Sequence, residues 1–435
     1  MRTGPLFHIE KFVFFLLLVF LPTQFGKHFW PSFSSVLGIR VDYLSPTLFA
    51  TDILVGILLM VVLSQKKKAF RFFNILRSTL FILFLCSLGV SILGSLQPLA
   101  GIYGFVRFIE FFFVGWFVYQ FTRERKQIFL KTLAMAFSIT VIFESLLAIA
   151  QFYQHGSLGG IFYFLGERFY TGQTVGIAEA VVNGALVLRP YGTFSHPNVL
   201  AGFLLLGVTI LTYAWMTLKR RNLFLFGIAI GILGIGVTLS RTVVILFLLL
   251  FSLWVIRLIK THSIKQIGIA VTAVCLVGFF VSPSFDRFFS SFFKEPSFYE
   301  RKILIDHAFS LIASSPLFGV GVYNTFYYPV ALSARTIGIF YQPVHNIYLL
   351  LVAQIGLVGS SIVGVFIYQT TKGLWKKRRK GIARLTMTLL CVVGILGMFD
   401  HYFLSLEQGQ LLLALVLGMA TGVSSSNIKS TEMVQ

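Results

Sequence analysis

Residues 197–260 read PNVLAGFLLLGVTILTYAWMTLKRRNLFLFGIAIGILGIGVTLSRTVVILFLLLFSLWVIRLIK. The stretch contains three apolar runs, and each approaches the roughly 20 residues that a helix needs to cross the hydrocarbon core of a bilayer. The basic residues Lys219-Arg220-Arg221 separate the first two runs, whereas Ser240-Arg241 separates the second from the third. Because Lys and Arg collect on the cytoplasmic side of membrane proteins, this pattern predicts membrane-spanning helices whose first connection is cytoplasmic.

The same apolar character extends over the whole chain of 435 residues, of which 57% are hydrophobic, 16% aromatic and only 12% charged. Soluble globular proteins carry about 25% charged residues, so the composition excludes a water-soluble monomer and intrinsic disorder. We predict an all-α polytopic membrane protein that forms a single integral membrane domain over residues 1–435. About twelve transmembrane helices are predicted, at roughly 9–25, 47–64, 75–96, 100–120, 128–152, 197–218, 222–239, 242–260, 264–283, 346–369, 383–399 and 402–421.

The charge is strongly positive, with 36 Lys and Arg against 15 Asp and Glu and a formal net charge of +21. A basic chain can bind nucleic acid, but most of these cations fall in alternate connections between the predicted spans. The positive-inside rule then places both termini in the cytoplasm of a multi-pass protein in the cytoplasmic (inner) membrane. We therefore expect the lipid bilayer, and no nucleic acid, as a partner.

Two predicted external connections are long, residues 153–196 and 284–345, and loops of this length are usually functional or disordered. The second contains residues 299–312, whose apolar positions recur at helical spacing. This spacing predicts an amphipathic helix on the membrane surface or over a cavity. The helix is followed by Ser315-Pro316, a stop signal, and then by Gly319 and Gly321, which permit a tight backbone path.

Polar motifs stand where three spans enter from the outside: Arg189 to Asn198, Ser240-Arg241 and His345-Asn346. Helix N-termini carry free N–H groups and favour anions, and guanidinium groups bind phosphate oxygens bidentately. A histidine can exchange a proton near neutral pH. An anion clamp beside a base suits transfer from a diphosphate carrier to a hydroxyl group.

Each motif also has a simpler interpretation. Arg241 could only snorkel to lipid headgroups, Arg189 could be an ordinary loop cation, and His345-Asn346 could be only a helix cap. Within the spans, Arg107 and Glu110 are one helical turn apart and can pair with each other or with Glu144. Such charges are costly in a membrane, so they mark either a function or a structural ion pair.

No dedicated metal site is predicted, because no His, Asp and Glu residues show a metal-ligand spacing. Asp400-His401 lies in a two-residue external turn, where a helix cap is the expected role. The three cysteines, Cys86, Cys275 and Cys391, all fall within predicted spans and form no disulfide framework.

Taken in order, these motifs resemble the O-antigen ligase and O-antigen polymerase family of bacterial polytopic membrane glycosyltransferases. The resemblance covers residues 185–365 by motif and the whole chain by span number and orientation. The matching residues are Arg189, Gly192, His196-Pro197-Asn198, Ser240-Arg241, Arg301, Pro316, Gly319-Val320-Gly321, His345-Asn346, Leu349, Gly356 and Gly359.

The resemblance implies a GT-C-like helical fold, an undecaprenyl-diphosphate-linked glycan donor and a metal-independent inverting transfer without a cofactor. Arg189 and Arg241 would bind the diphosphate, and His345 would be the activating base or the proton donor on the pyrophosphate side. By motif match, further substrate-binding residues would be His196, Asn198, Ser240, Arg301, Gly319, Gly321 and Asn346.

The acceptor stays open between a lipid A core, another lipid-linked glycan, a protein side chain and a cell-envelope polymer. A transporter or flippase of lipid-linked or anionic solutes is the alternative function, and a non-catalytic membrane scaffold is a third. A transporter predicts charged residues along a central path and repeated halves. The glycosyltransferase predicts instead that Arg189, Arg241 and His345 converge on one external cavity.

Overall fold

The computed structural model describes residues 4–174, 176–182, 185–219, 221–260, 296–328 and 341–426. The predicted span 264–283 lies outside the described residues, as do parts of the predicted loops 153–196 and 284–345. Within the described ranges the chain is mostly helical. The helices are α1 Pro5–Phe20, α2 Ala50–Leu63, α3 Lys66–Leu76, α4 Thr79–Leu93, α5 Pro98–Glu124, α6 Lys126–Gln154, α7 Ile161–Phe164, α8 Pro197–Thr217, α9 Arg221–Val237, α10 Arg241–Lys260, α11 Pro296–Ser314, α12 Ile347–Lys376, α13 Gly381–Gly397, α14 Tyr402–Ser405 and α15 Glu407–Ser425.

Five helices, α5, α6, α8, α12 and α15, are long and apolar enough to cross a membrane. The pair α3 and α4 is bent by 62° at a short break and can count as a sixth crossing. Shorter apolar helices are α2, α9, α13 and the segment Arg241–Ile256 of α10. These findings confirm a helical membrane protein, although the described residues support five or six crossings by length and composition rather than twelve.

Two predicted spans differ from the helices observed. The span predicted at 47–64 begins as a strand, and α2 has only 14 residues, which is about 21 Å against a hydrocarbon core of about 30 Å. The span predicted at 75–96 is interrupted at Ser78, whose side chain accepts a hydrogen bond from Phe81 N and so caps a new helix. Lys66-Lys67-Lys68 fall in the connection between the predicted spans 47–64 and 75–96, but in the structure they open α3.

Short strands form three two-stranded antiparallel sheets, which the all-α prediction did not include. β1 Gly26–His28 pairs with β4 Thr47–Phe49, β2 Ser35–Val36 with β3 Ile39–Arg40, and β5 Glu179–Val182 with β6 Ala185–Leu188. The first two sheets fold residues 21–49 into a third long connection that the loop predictions missed. It packs on the connection before α12, because the Tyr43 ring stacks on Phe326 with centroids 5.6 Å apart and Tyr341 Oη donates to Val36 O at 3.3 Å.

The predicted amphipathic segment 299–312 lies inside α11, with Leu304, Ala308 and Leu311 buried. The loop that follows it enters a break in α12 at Gly356, where the backbone has φ +66°. A break in a helix leaves N–H and C=O groups without their usual partners. The loop satisfies four of them through bonds of 2.8–3.0 Å, from Val320 N to Ala353 O, Gly321 N to Gln354 O, Leu357 N to Pro316 O and Val358 N to Leu317 O.

Glycine is required at this crossing for space as well as for conformation. A Cβ on Gly356 would lie 2.2 Å from Leu317 O, and one on Gly319 would lie 2.5 Å from the carbonyl carbon of Gln354. Gly319 and Gly321 also have positive φ, +70° and +104°, which other residues adopt at a cost. The crossing therefore joins α11 and α12 backbone to backbone.

We expect Gly356→Ala to destabilise the protein by at least about 2 kcal/mol, because the new Cβ meets backbone and φ is positive. The matched control is Gly364→Ala in the same helix, where no atom lies within 4 Å of the added Cβ. That control should leave the melting temperature unchanged or raise it, since Ala favours helix. Thermal unfolding of the purified protein in detergent micelles compares them. Equal melting temperatures would contradict the structural importance of the break.

Candidate functional site

Arg189 connects two motifs that are far apart in sequence. Its Nε donates to Thr238 O at 2.8 Å, just after α9, and its Nη2 donates to Asn198 Oδ1 at 2.8 Å, in the first turn of α8. Ser240 Oγ donates to the same Asn198 oxygen at 3.1 Å. Arg241 follows Ser240 directly and is the first residue of α10. The structure thus brings the Arg189 motif and the Ser240-Arg241 motif together.

Asp400 extends this arrangement to the third motif. Asn198 Nδ2 lies 3.5 Å from Asp400 Oδ2, and His345 Nδ1 lies 3.7 Å from Asp400 Oδ1. His401 donates its backbone N–H to Asp400 Oδ1 at 2.8 Å, and its ring centroid is 4.9 Å from that of His345. We call Arg189, His196, Asn198, Ser240, Arg301, His345, Asp400 and His401 the polar cluster.

Two helix N-termini open at the polar cluster, and side chains cap both. His196 Nδ1 accepts from Asn198 N at 3.1 Å at the start of α8. Asn346 Oδ1 accepts from Tyr348 N and Leu349 N at 2.9 and 3.0 Å at the start of α12. His345 is not the cap: its ring lies between Asp400 and Gln342, with Nε2 3.3 Å from Gln342 Oε1.

Arg301 reaches the polar cluster from α11. One turn after it, Leu304 packs in a small apolar core with Val344, the residue before His345. Burial lowers the pKa of His196 to about 3, and the charges of Arg189, His345 and Arg301 act in the same direction. Burial also lowers the pKa of His401 to about 3, again with the charges of His345 and Arg301. Both histidines are therefore neutral at physiological pH.

Asp400 behaves in the opposite way. Burial alone raises its pKa, but the neighbouring His345, followed by the charges of His401 and His196, holds the pKa well below its usual range. The carboxylate is thus ionised and nearly buried. An anionic acceptor beside an imidazole is the arrangement that orients and charges a histidine.

Three residues of the site were missed by sequence reasoning. Asp400 and His401 were expected to form a helix cap, although they stand at the same predicted membrane face as His345, and that shared face was a usable signal. The Tyr43 ring packs edge-on against His401 with centroids 5.6 Å apart, and burial together with the charge of Asp400 raises its pKa. Nothing in the sequence pattern around Tyr43 indicated this contact.

The predicted residues Gly319 and Gly321 have their contacts at the helix crossing. Gly319 faces the backbone of Gln354 and Gly356, and Gly321 faces the Ser95 side chain. We therefore interpret both as residues that shape the crossing, and their role in substrate binding stays a prediction.

Arg107 belongs to a second group of charges. Its Nη1 lies 2.7 Å from Glu110 and 3.0 Å from Asp52, and its Nη2 contacts Glu407. Glu144, the other partner considered for it, instead lies at hydrogen-bond distance from Thr193. Three carboxylates thus pair with one buried guanidinium, as buried charges in a membrane protein usually do.

Two groups of donor atoms are close enough to hold a metal ion by geometry. The atoms of His345, Asp400 and His401 lie within 4.8 Å of one another, as do those of Asp52, Glu110 and Glu407. Arg107 contacts all three carboxylates of the second group. The absence of a catalytic metal stays a prediction.

These features define a helical membrane protein with a polar cluster of arginines, histidines and one aspartate at the ends of its helices. The family comparison specifies the class: a family model described as O-antigen ligase matches residues 226–364. This match confirms the resemblance inferred from the motifs, and the matched region is similar to the O-antigen ligase family. It contains Ser240-Arg241, Arg301 and His345, whereas Arg189 precedes it and Asp400 follows it. No curated protein matches the chain.

The lowered pKa values of His196 and His401 predict acid sensitivity. The unfolded chain binds protons on both histidines below about pH 6.5, whereas the folded chain does not until near pH 3. Stability is therefore complete above pH 6.5 and falls with decreasing pH, by about 1.4 kcal/mol per pH unit for each histidine.

Replacing His401→Gln should make this loss of stability shallower. Thermal unfolding between pH 7.5 and 4.5 measures the slope. The exposed His155 provides the control, because His155→Asn keeps a residue that tolerates its left-handed backbone. Identical slopes for the wild type and His401→Gln would show that His401 is protonated in the folded protein.

Proposed function

We propose that the protein transfers a glycan from an undecaprenyl-diphosphate-linked donor to a hydroxyl acceptor, as an O-antigen ligase or polymerase. The observation that carries the proposal is the continuous set of contacts from Arg189 through Asn198 and Asp400 to His345. These residues come from two separate motifs and from the turn at Asp400, and a non-catalytic scaffold gives no reason for them to meet. The family match over residues 226–364 supports the same class of reaction.

The membrane arrangement is part of the proposal. Twelve transmembrane helices in a GT-C-like fold, with both termini in the cytoplasm, would carry the polar cluster to the external, periplasmic face of the bacterial inner membrane. The distribution of Lys and Arg supports this orientation. The transporter or flippase alternative is not supported by the family match.

The cationic groups suit a diphosphate. Arg189 and Arg301 both act electrostatically on His196, and α8 and α12 open at the same place with the positive ends of their dipoles. Arg241, next to Ser240, would add a third guanidinium. We assign Arg189 and Arg241 to the donor diphosphate, where they would stabilise the negative charge that grows as it departs. In this way the site would need no metal ion.

His345 is proposed as the activating base. Its imidazole would take the proton of the acceptor hydroxyl while that oxygen forms a bond to the anomeric carbon of the donor sugar. The bond between this carbon and the phosphate oxygen breaks, and its electron pair leaves with the lipid diphosphate. Attack from the opposite side inverts the anomeric configuration. Asp400 is a positioning residue, since its ionised carboxylate orients the imidazole and stabilises the protonated form.

We expect His345→Ala and Arg189→Ala to lower glycan transfer at least about 100-fold, as loss of a base or of charge stabilisation does. Release of lipid diphosphate by the purified protein is measured with a lipid A core, a second lipid-linked glycan and an envelope polymer as acceptors. Arg40→Ala is the control, because Arg40 is exposed on β3 and lies over Trp30. Full transfer by His345→Ala would show that His345 is not the base. Recovery of the rate when imidazole is added to this variant would support that role.

Asp400→Asn tests the positioning role. The amide keeps the size of the side chain but removes the anion beside His345, so kcat should fall at least about 10-fold. The donor KM should stay near that of the wild type, because the arginines assigned to the diphosphate are unchanged. If Asp400→Asn keeps the wild-type kcat, Asp400 does not act through His345.

A further inference from the structure

Gln151 connects α6 to the segment that follows Arg189. The side chain is 1% exposed and makes hydrogen bonds in both directions. Its Oε1 accepts from Tyr191 N at 3.0 Å and Gly192 N at 2.7 Å, while its Nε2 donates to Gly192 O at 3.1 Å and Glu167 Oε1 at 2.7 Å. The side-chain amide supplies both the donor and the acceptor atoms that these four bonds require.

Glu144 makes the second connection, two helical turns earlier on the same side of α6. One carboxylate oxygen accepts from Thr193 N at 3.0 Å, and the other lies 2.7 Å from Thr193 Oγ1. The contact is close, because a Cβ on Gly192 would lie 2.4 Å from Glu144 Oε2. Gly192 also has φ +59°, so the chain passes α6 in a conformation that other residues adopt only with strain.

Glu167 holds Gln151 from the other side. Besides the bond from Gln151, its carboxylate accepts from Leu158 N and Gly159 N, both at 2.7 Å. Glu167 is itself 3% exposed. The amide of Gln151 is thus fixed in one orientation, and the backbone it binds is fixed with it.

The consequence for Arg189 is that it is held from two directions. The backbone two to four residues after it is bound to α6, and its guanidinium is bound to Thr238 O and Asn198 Oδ1. A long flexible side chain loses less entropy on binding a ligand when its position is set in advance. Small displacements of a binding group can cost large factors in rate.

We propose that Gln151 and Glu144 are positioning residues that set Arg189 for the donor diphosphate. The inference rests on the proposed role of Arg189 in donor binding. Gln151 and Glu144, on the buried polar side of α6, would then contribute to the reaction as well as to stability. They would do so through Arg189 rather than by a contact of their own with the donor. Loss of Gln151 should therefore raise the donor KM beyond what loss of stability explains.

The test compares variants of one helix in the full-length protein. Gln151→Leu leaves three buried backbone groups without their bonds and should lower kcat/KM for the lipid-diphosphate glycan donor about 10-fold or more, mainly through KM. Leu147→Ala, at a position 3% exposed on α6, removes core packing with a cost of about 2–5 kcal/mol. It should lower the melting temperature and leave the donor KM unchanged. Gln154→Leu, at an exposed position, should change neither.

A second variant keeps the size of the side chain. Gln151→Glu sets a carboxylate against Glu167 and leaves Gly192 O without its donor, so it should also weaken donor binding. This variant carries the test if Gln151→Leu does not fold. An unchanged donor KM in Gln151→Leu or in Gln151→Glu would overturn the inference.

Arg189→Ala, assayed in parallel, keeps the two proposals apart. If Arg189→Ala loses donor binding and the Gln151 variants do not, the positioning inference fails and the proposed function stands. If Arg189→Ala itself keeps the wild-type donor KM and rate, the proposed use of Arg189 fails, whatever the Gln151 variants show.

Discussion

This structure depends on one constraint: the interior of a bilayer contains no water to hydrogen-bond with polar groups. The protein must therefore supply the hydrogen-bond partners of these groups itself. The break in α12 shows it for backbone: four hydrogen bonds from the loop before it replace those that the helix gives up at Gly356. Gln151 shows it for a side chain, since its amide is bonded on both atoms. Each solution joins segments distant in sequence and so fixes where the motif residues stand.

The charges around Arg107 and those of the polar cluster are buried or partly buried, but they are paired in different ways. Around Arg107, three carboxylates contact one guanidinium, so this buried cation has its partners inside the protein. In the polar cluster, Arg189 and Arg301 both lower the pKa of His196, whereas Asp400 raises it. Two guanidinium groups against the single ionised carboxylate of Asp400 leave the field there positive, which favours an anion.

The sequence predicted the parts of the fold that depend on local composition. The limits of α5, α6 and α8 agree with the predicted spans to within a few residues, because long apolar runs bounded by basic or capping residues define them. It could not predict the break at Gly356, since a glycine in an apolar helix has the same pattern whether the helix bends or continues. Predicting the interruption at Ser78 required knowing that a local cap would outweigh the continuous apolar run.

For the candidate site, residue type and membrane side predicted the cations but not their partners. Arg189 and His345 were recognisable because charged residues at helix entrances are few. Asn198 and Asp400 make the contacts between them, and both contacts depend on tertiary packing: α8 must lie beside the turn between α13 and α14 for Asn198 to reach Asp400 at 3.5 Å. A role in chemistry can be argued from sequence, whereas the positioning of that chemistry by Gln151, Glu144 and Asp400 is a property of packing. Positioning residues of this kind are polar, buried and distant in sequence from the residues they hold, and buried hydrogen-bond partners are how a structure identifies them.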